Sequence, residues 1–355
     1  MAVPEDYRLV TAQWLTHALR AGGIGDEAVV TSFRAERLGE EQGFTGALAR
    51  LDLTYAHPVE GAPSSLVAKL SPPLSDLDVG RREVAFYEEI ASGRQLPVPI
   101  CYYGEVDPDS GAGVLLLEDL SHLRGVNFLD GCTPDEAEAA VLGLAAIHAA
   151  WWNDPALETL DWAFSLAGSS FPDWWARYPQ KVELLLPGIA LPASFVDFGE
   201  RFATDMPLVL EQLEGRPFTV IHRDIHVDNL LFGSRPEDPA AVLIDWQLAG
   251  VGKGVSDVAF LLMSSLSPAD RRTSERRLVS RYHNRLGELG VVAYSLEQCW
   301  ADYVVSAAGR LFITVAATVL LDNSTAHQKE WRRVDLERLA AFVEDHLPGE
   351  AIDLR

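Results

Sequence analysis

A polar segment enclosed between short apolar runs is the feature that most restricts how this chain can fold. The segment is His222–Asn229; Phe218–Ile221 precedes it and Leu230–Phe232 follows it. A third apolar run, Val242–Ile244, ends directly before Asp245. Short apolar runs bounded by polar residues are typical of buried strands. The middle of the chain therefore carries a strand-and-loop insertion, which a fold made of helices alone does not accommodate.

The residues before position 120 favour strands. Apolar and polar residues alternate in Arg50–Tyr55, which is the period of a half-buried strand. The runs Leu66–Leu70 and Val114–Leu117 are short and apolar, again as strands are. Between them, Asp78–Ala91 places Glu83 and its apolar neighbours at helical spacing, which predicts one helix among the strands.

Helical patterns fill most of the chain after residue 120. Thr133–Glu136 combines an N-cap threonine, a proline at the first position and a glutamate three residues after the cap, so it predicts a helix start. Ser267–Asp270 predicts another helix start by similar logic. Val304–Leu321 is the most apolar stretch, but polar residues such as Arg310 break it, which favours a buried helix over a membrane span. We expect an α+β fold with a small antiparallel-sheet N-lobe (residues 1–118) and a larger, mostly helical C-lobe (residues 119–355).

The charge and the cysteines restrict the partners of the protein. Among 355 residues, 52 are acidic and 29 are basic, giving a net charge of −23, which repels nucleic acid and anionic membranes. The excess of acidic residues indicates a charged, solvated surface that keeps the protein in solution. Alternatively, it could serve to attract a cationic substrate. The cysteines lie far apart, which disfavours structural zinc and disulfides and fits a reducing cytoplasm. No signal peptide is recognisable at the N-terminus, so we expect a cytoplasmic protein.

The spacing inside the polar segment indicates phosphoryl transfer. Asp224 and Asn229 fit the H-x-D-x-x-x-x-N pattern of a kinase catalytic loop. That reaction needs the phosphates held, their charge neutralised by Mg²⁺ and the attacking hydroxyl group aimed. Because magnesium prefers oxygen ligands, we expect Asn229 and Asp245 to bind it and Asp224 to accept the hydroxyl proton as the catalytic base.

A lysine and a glutamate lie upstream in the order that such a site requires. Lys69 follows Val67 and Ala68 on a predicted strand, as in the V-A-I-K element whose lysine contacts the nucleotide phosphates. Glu83 lies 14 residues later, on the inward face of the predicted helix. An ion pair between Lys69 and Glu83 would aim the ammonium group at bound ATP.

Two further segments are candidates for nucleotide binding. Gly43 and Gly46 lie between two predicted strands, where a loop covering the phosphates belongs, although the segment is not G-x-G-x-x-G. Glu118 and Leu120 lie where the predicted lobes join, and an adenine would hydrogen-bond to the backbone at such a hinge.

At these residues the chain resembles the aminoglycoside phosphotransferase and choline kinase superfamily, and more closely its ecdysteroid-kinase-like branch. The resemblance spans roughly residues 30–325. The segments that carry it are the G-F-T-G loop, Lys69, Glu83, the L-L-L-E-D-L hinge, Leu144–Trp152, H-R-D-I-H-V-D-N, I-D-W-Q and Gly252–Leu262.

The resemblance implies a bilobal protein-kinase-like fold and an ATP- and Mg²⁺-dependent kinase acting on a small hydroxylated substrate. It assigns Asp224 as base and Asn229 and Asp245 as metal ligands. It also implies that Asp257 supports the catalytic loop and that Gln247 lies near the active centre. The chain departs from the family at Arg223, where small-molecule kinases often have glycine, and in its glycine-poor nucleotide loop.

Two other functions compete with this interpretation. A protein kinase would share the H-R-D motif, but Asp245–Gln247 replaces D-F-G and no A-P-E occurs. A catalytically idle nucleotide-binding regulator usually lacks the base or a metal ligand, and here all are present. His148 lies on an apolar helix stripe and is expected to be a satisfied core histidine. The identity of the acceptor and the oligomeric state do not follow from the sequence.

Overall fold

A computed structural model describes residues 3–38, 47–71, 79–167 and 169–347. They form two compact units. The first comprises Met1–Arg124 together with Ile244–Ala249, and the second comprises Gly125–Leu243 together with Gly250–Arg355. The segment that returns to the first unit carries the predicted metal ligand Asp245.

The first unit contains a five-stranded antiparallel sheet and helices. Its elements are a 3₁₀ turn (Tyr7–Leu9), α1 (Ala12–Ala21), β1 (Val30–Leu38), β2 (Ala47–Tyr55), β3 (Ser65–Ser71), α2 (Val79–Ala85), β4 (Cys101–Val106) and β5 (Gly113–Glu118). The strand order is β1-β2-β3-β5-β4. The three predicted strands correspond to β2, β3 and β5. The predicted helix is α2, which continues as a wider π-helical turn over Phe86–Ala91.

Strand β3 has its two faces covered differently. Leu66, Ala68 and Leu70 point into the apolar core that the sheet shares with α1. Because side chains alternate along a strand, Lys69 points to the opposite face, where α2 packs. The alternation of β3 thus places a buried cation beside α2.

The second unit is mainly helical. Its elements are β6 (Arg124–Gly125) at the boundary, α3 (Pro134–Ala150), a 3₁₀ turn (Pro155–Thr159), α4 (Phe171–Leu185), α5 (Ala193–Glu214), β7 (Thr219–Ile221), a 3₁₀ turn (Val227–Asn229), β8 (Leu230–Phe232), β9 (Ala241–Leu243), β10 (Gly250–Gly252), α6 (Val255–Ser265), α7 (Pro268–Glu288), α8 (Leu296–Val305), α9 (Ala307–Leu320) and α10 (Ala326–His346). β7 pairs with β10 and β8 with β9, both antiparallel. The predicted α+β class is confirmed.

The predicted helix starts are observed. The Thr133 side chain accepts a hydrogen bond from the Glu136 backbone, and the Glu136 side chain bonds back to the Thr133 backbone, forming a complete capping box at α3. Ser267 caps α7 through the backbone N–H of Asp270. These local bonds fix where both helices begin.

The apolar stretch near the C-terminus is core. By length and composition alone, Leu296–Leu320 could cross a membrane, but 67% of its most apolar 18 residues are buried inside the protein. It is divided at Ser306 into α8 and α9, rather than forming one helix. The prediction of a buried helix is therefore confirmed, with a break that the sequence pattern did not indicate.

Candidate active site

In the first unit, Lys69 is held between two carboxylates. Its Nζ lies 2.6 Å from Glu83 Oε2 and 2.6 Å from Asp245 Oδ1. The ion pair expected between Lys69 and Glu83 is therefore present. The side chain of Glu83 is 1% exposed, whereas that of Asp245 is 29% exposed. Asp245 is thus the partner whose carboxylate remains accessible.

The charges of this triad depend on each other. Burial alone would lower the pKa of Lys69, but the carboxylates of Asp245 and Glu83 outweigh burial and raise it. Burial raises the pKa of Glu83, and the neighbouring ammonium group opposes that rise. Lys69 therefore stays cationic at neutral pH, as a group that binds phosphate must.

The segment that carries Asp245 is fixed against α2 and its continuation. The backbone N–H of Trp246 donates to Glu83 Oε1 at 3.2 Å. The fully buried Trp246 ring stacks on Phe86, with ring centroids 4.0 Å apart and an interplanar angle of 5°. Glu83 therefore holds both the lysine and the segment that follows Asp245.

A second pair of contacts fixes the same segment. Arg82 Nη1 donates to the backbone carbonyl of Gln247 at 2.9 Å, and Gln247 Nε2 donates to Asp245 Oδ2 at 3.2 Å. Asp245 itself has a φ of 68°, in the left-handed region that non-glycine residues seldom occupy. A strained backbone that its surroundings enforce is frequent at functional sites.

In the second unit, one buried carboxylate organises the loop that follows β7. Asp257 Oδ2 accepts from the backbone N–H of His222 at 2.6 Å, and Oδ1 accepts from that of Arg223 at 3.0 Å. Arg223 has a φ of 65°, so this loop too contains a left-handed residue. The two bonds compensate for the strain directly before Asp224 and match the supporting role that the resemblance implies for Asp257.

A chain of buried hydrogen bonds lies behind Asp257. His148 Nε2 is 3.3 Å from Asp257 Oδ2, and His148 Nδ1 is 2.9 Å from the hydroxyl oxygen of Tyr282. His148 is fully buried with both ring nitrogens bonded, as expected of a satisfied core histidine. Helices α3 and α7 thereby support the loop through Asp257.

The same loop positions the predicted base and one predicted metal ligand. Asn229 Nδ2 donates to the backbone carbonyl of Asp224 at 2.9 Å, so the two residues are fixed to each other. The Asp224 side chain is 26% exposed, and its Oδ2 lies 3.9 Å from His226 Nε2. The loop thus presents an accessible carboxylate beside an amide group whose nitrogen is anchored.

Of the other four candidates for nucleotide binding, two lie within the described residues and two do not. Glu118 ends β5, and its backbone N–H donates to the carbonyl of Ile100 at 2.8 Å. Leu120 follows it and is buried. Gly43 and Gly46 lie outside the described residues. The roles of all four in binding a nucleotide stay predictions.

Some contacts of this site were not foreseen from the sequence. Arg82 was overlooked although it directly precedes Glu83, and Trp246 was noted only as a departure from D-F-G. Tyr282 carries no sequence signal because its partner, His148, lies 134 positions away. Within the described ranges, no group of three or more His, Cys, Asp or Glu residues is arranged to hold a metal ion.

Solved structures with the same fold include proteins that transfer phosphate. A candidate aminoglycoside phosphotransferase from Ralstonia eutropha JMP134 is 18% identical, with a TM-score of 0.53, over 94% of this chain and 97% of that chain. A choline kinase from Cryptosporidium parvum Iowa II is 8% identical, with a TM-score of 0.54, over 94% and 95%. The GDP complex of aminoglycoside 2'-phosphotransferase-IIIa is 15% identical, with a TM-score of 0.52, over 95% and 99%.

These likenesses establish the kinase-like fold, with an antiparallel five-stranded sheet in the N-terminal part and a helical C-terminal part. A search of curated proteins finds no match. The model of the phosphotransferase enzyme family (APH) matches residues 50–292, a span that includes Lys69, Glu83, Asp224, Asn229 and Asp245. The chain therefore belongs to the phosphotransferase enzyme family.

Proposed function

We propose that the protein transfers the γ-phosphoryl group of ATP to a hydroxyl group of a small molecule. The observation that carries the proposal is the triad in which the buried Lys69 lies between Glu83 and the accessible Asp245, in a chain of this family. A lysine kept cationic by two carboxylates suits contact with phosphates.

Magnesium fits the oxygen donors of the two segments. Asn229 commits Nδ2 to the carbonyl of Asp224, so its amide oxygen is the atom that remains for a cation. Asp245 supplies an accessible carboxylate. Carboxylate and amide oxygens suit Mg²⁺, which would neutralise the charge on the nucleotide phosphates when bound. We therefore assign Asn229 and Asp245 as its ligands.

Asp224 would act as the base. Its partly exposed carboxylate is positioned by two supports: Asp257 holds the backbone before Asp224, and Asn229 holds the backbone carbonyl of Asp224. Rigid placement matters because a base must lie within hydrogen-bond reach of the proton that it accepts. Asp224 would orient the attacking hydroxyl group and take its proton.

Further parts of the proposal come from the sequence. We assign the nucleotide to the N-lobe, residues 1–118. Gly43 and Gly46 would cover the phosphates, and the backbone of Glu118 and Leu120 would hydrogen-bond to the adenine ring. The C-lobe, residues 119–355, would bind the acceptor. A cytoplasmic location and membership of the ecdysteroid-kinase-like branch belong to the same proposal.

A nucleotide-consumption screen against hydroxylated compounds tests this function. Both ATP and GTP belong in the screen, because one structure of the same fold is a GDP complex. With an accepted compound, Asp224→Asn should reduce kcat by about 10²–10⁴-fold, since a positioned base contributes that much. Asp245→Asn should also abolish most turnover.

The exposed Asp109 in the loop between β4 and β5 provides the control, and Asp109→Asn should leave kcat unchanged. Full activity of both the Asp224 and the Asp245 variants would refute the mechanism. A nucleotide-dependent rise in Tm without turnover on any compound would favour the idle regulator instead.

A further inference from the structure

Arg332, on α10, is a buried cation that lacks an acidic hydrogen-bond partner. It is 7% exposed. Across the described ranges, its guanidinium group makes one hydrogen bond, from Nε to Asn323 Oδ1 at 2.8 Å. The partner is a neutral amide. Buried charges in proteins are normally paired, so a largely buried arginine whose Nη atoms bond to none of the described residues requires an explanation.

Two neighbouring buried arginines have protein partners for their Nη atoms, which Arg332 does not have among the described residues. Arg310 forms an ion pair with Asp335, whose other oxygen accepts from Thr314. Arg338 donates to the backbone carbonyls of Phe128 and Ser264. The Asp224 carboxylate also acts on Arg310, whose Nε lacks a partner in the described part of the chain, so Arg332 differs from both in its Nη atoms alone.

The carboxylate that acts on Arg332 is that of Asp224. Burial lowers the pKa of Arg332 to about 10, and Asp224 gives the largest opposing contribution. Packing independently places the start of α10 against the catalytic loop. The Trp331 ring lies 5.7 Å from the ring of His226, two residues after Asp224. At neutral pH, Arg332 is therefore a cation beside the proposed base.

A cationic acceptor suits such a surrounding poorly. The amino group of an amine acceptor would meet the guanidinium group of Arg332, and like charges in a poorly hydrated site repel strongly. An acid group would instead satisfy the unused Nη donors in the bidentate manner that arginine favours.

We propose that the acceptor is a hydroxylated acid whose carboxylate or phosphate group binds Arg332 while its hydroxyl group faces Asp224. The inference rests on the proposed phosphotransfer and specifies the substrate class for it. The reaction breaks the bond between the γ-phosphorus and its bridging oxygen and forms a bond to the acceptor oxygen. The hydroxyl proton passes to Asp224, and the nucleoside diphosphate leaves.

The net charge of −23 acts against an anionic acceptor only weakly. Exposed charges are screened over about 10 Å at 0.1 M salt. Arg332 is buried, and its attraction acts at short range in a less polar medium. The local cation therefore decides binding at the site, whereas the distant carboxylates mainly slow the approach.

Matched acceptor sets test the substrate class on the full-length protein. Each set contains a hydroxy acid, its amide, an amino alcohol of similar size and a phosphorylated polyol. The acids should be phosphorylated with a kcat/KM at least 10-fold above those of the amide and the amino alcohol. Comparison of kcat/KM for the hydroxy acid with that for the phosphorylated polyol shows whether a carboxylate or a phosphate group is preferred.

The variant Arg332→Gln should raise the KM of the acid acceptor by about 10- to 100-fold, since hydrogen bonds to a charged group contribute that much. It should leave the nucleotide KM and the KM of the amide unchanged. The adjacent Arg333, which pairs with Glu330 and Glu337 on the same helix, provides the control, and Arg333→Gln should change neither constant.

The outcomes separate the two proposals. Turnover that requires Asp224 but occurs only with amines or neutral alcohols would overturn the acid acceptor and keep the phosphotransferase. An unchanged acceptor KM in Arg332→Gln, with only the acid limb of the kcat–pH profile displaced, would mean that Arg332 acts on Asp224 alone, which also overturns it. Turnover that is independent of Asp224 would refute the proposed function itself.

Discussion

At the residue scale, Glu83 performs two tasks with one carboxylate. One oxygen pairs with Lys69 and the other accepts from the backbone of Trp246. In Glu83→Gln only one oxygen remains, so the amide group cannot serve both partners. Because misplacement of a phosphate-binding group by about 1 Å can cost 10²-fold, we expect kcat/KM for the nucleotide to fall by about 10²-fold. Steady-state kinetics with varied nucleotide measures it.

The exposed Glu89, on the same helical segment, is a matched control for this prediction. Glu89→Gln should retain the parent kcat/KM. Equal loss in both variants would indicate general destabilisation, and no loss in either would contradict a role for the triad.

How far the site could be predicted differs from residue to residue. Lys69 and Glu83 were paired from their order and spacing, because a strand and the next helix place such residues together. The contact of Trp246 with Glu83 spans 163 positions, and no local pattern reports it. Arg332 was also missed, since its significance lies in the partner that it lacks, which only the packed structure reveals.

At the scale of elements, α7 and α10 are joined by a buried ionic cluster around Glu275. This residue is 6% exposed and bonds Arg271, Tyr303 and His346. Burial alone would raise its pKa, but the bond from His346 and the charge of Arg271 lower it. A lowered pKa stabilises the fold above the ordinary value of about 4.3, and this stabilisation is lost as the pH falls through the lowered value.

We therefore expect Glu275→Gln to reduce the free energy of unfolding by about 1–3 kcal/mol at neutral pH, with the difference shrinking below about pH 4. Urea unfolding at several pH values measures it. Glu288, in an exposed pair with Arg285 on α7, is the control, and its Gln variant should change stability by less than about 1 kcal/mol. If the loss of unfolding free energy in Glu275→Gln did not depend on pH, it would contradict a lowered pKa for Glu275.

Some elements were predictable and others were not. The starts of α3 and α7 followed from capping residues, which act locally. The break between α8 and α9 at Ser306 and the helix α1 were not predicted. Apolar residues flank Ser306 directly on both sides, so periodicity does not reveal a change of direction that depends on packing.

At the scale of the whole molecule, a net charge of −23 creates a field that opposes every anionic ligand. Salt screens such a field. We expect kcat/KM for the nucleotide to rise severalfold between about 0.02 M and 0.2 M KCl, opposite to the fall usual for electrostatically steered enzymes. An uncharged acceptor should show no such dependence, and a fall in nucleotide kcat/KM with salt would contradict the prediction.

The left-handed backbone at Arg223 has a consequence for how this sequence can diverge. Glycine adopts that conformation freely, whereas arginine does so at a cost of about 1 kcal/mol or more. The arginine side chain offsets that cost by donating hydrogen bonds to Glu214 and to the backbone carbonyl of Val251. Position 223 can therefore change to glycine without a change at position 214, because Glu214 would keep its bonds from Ser165 Oγ and from the backbone N–H of Leu166.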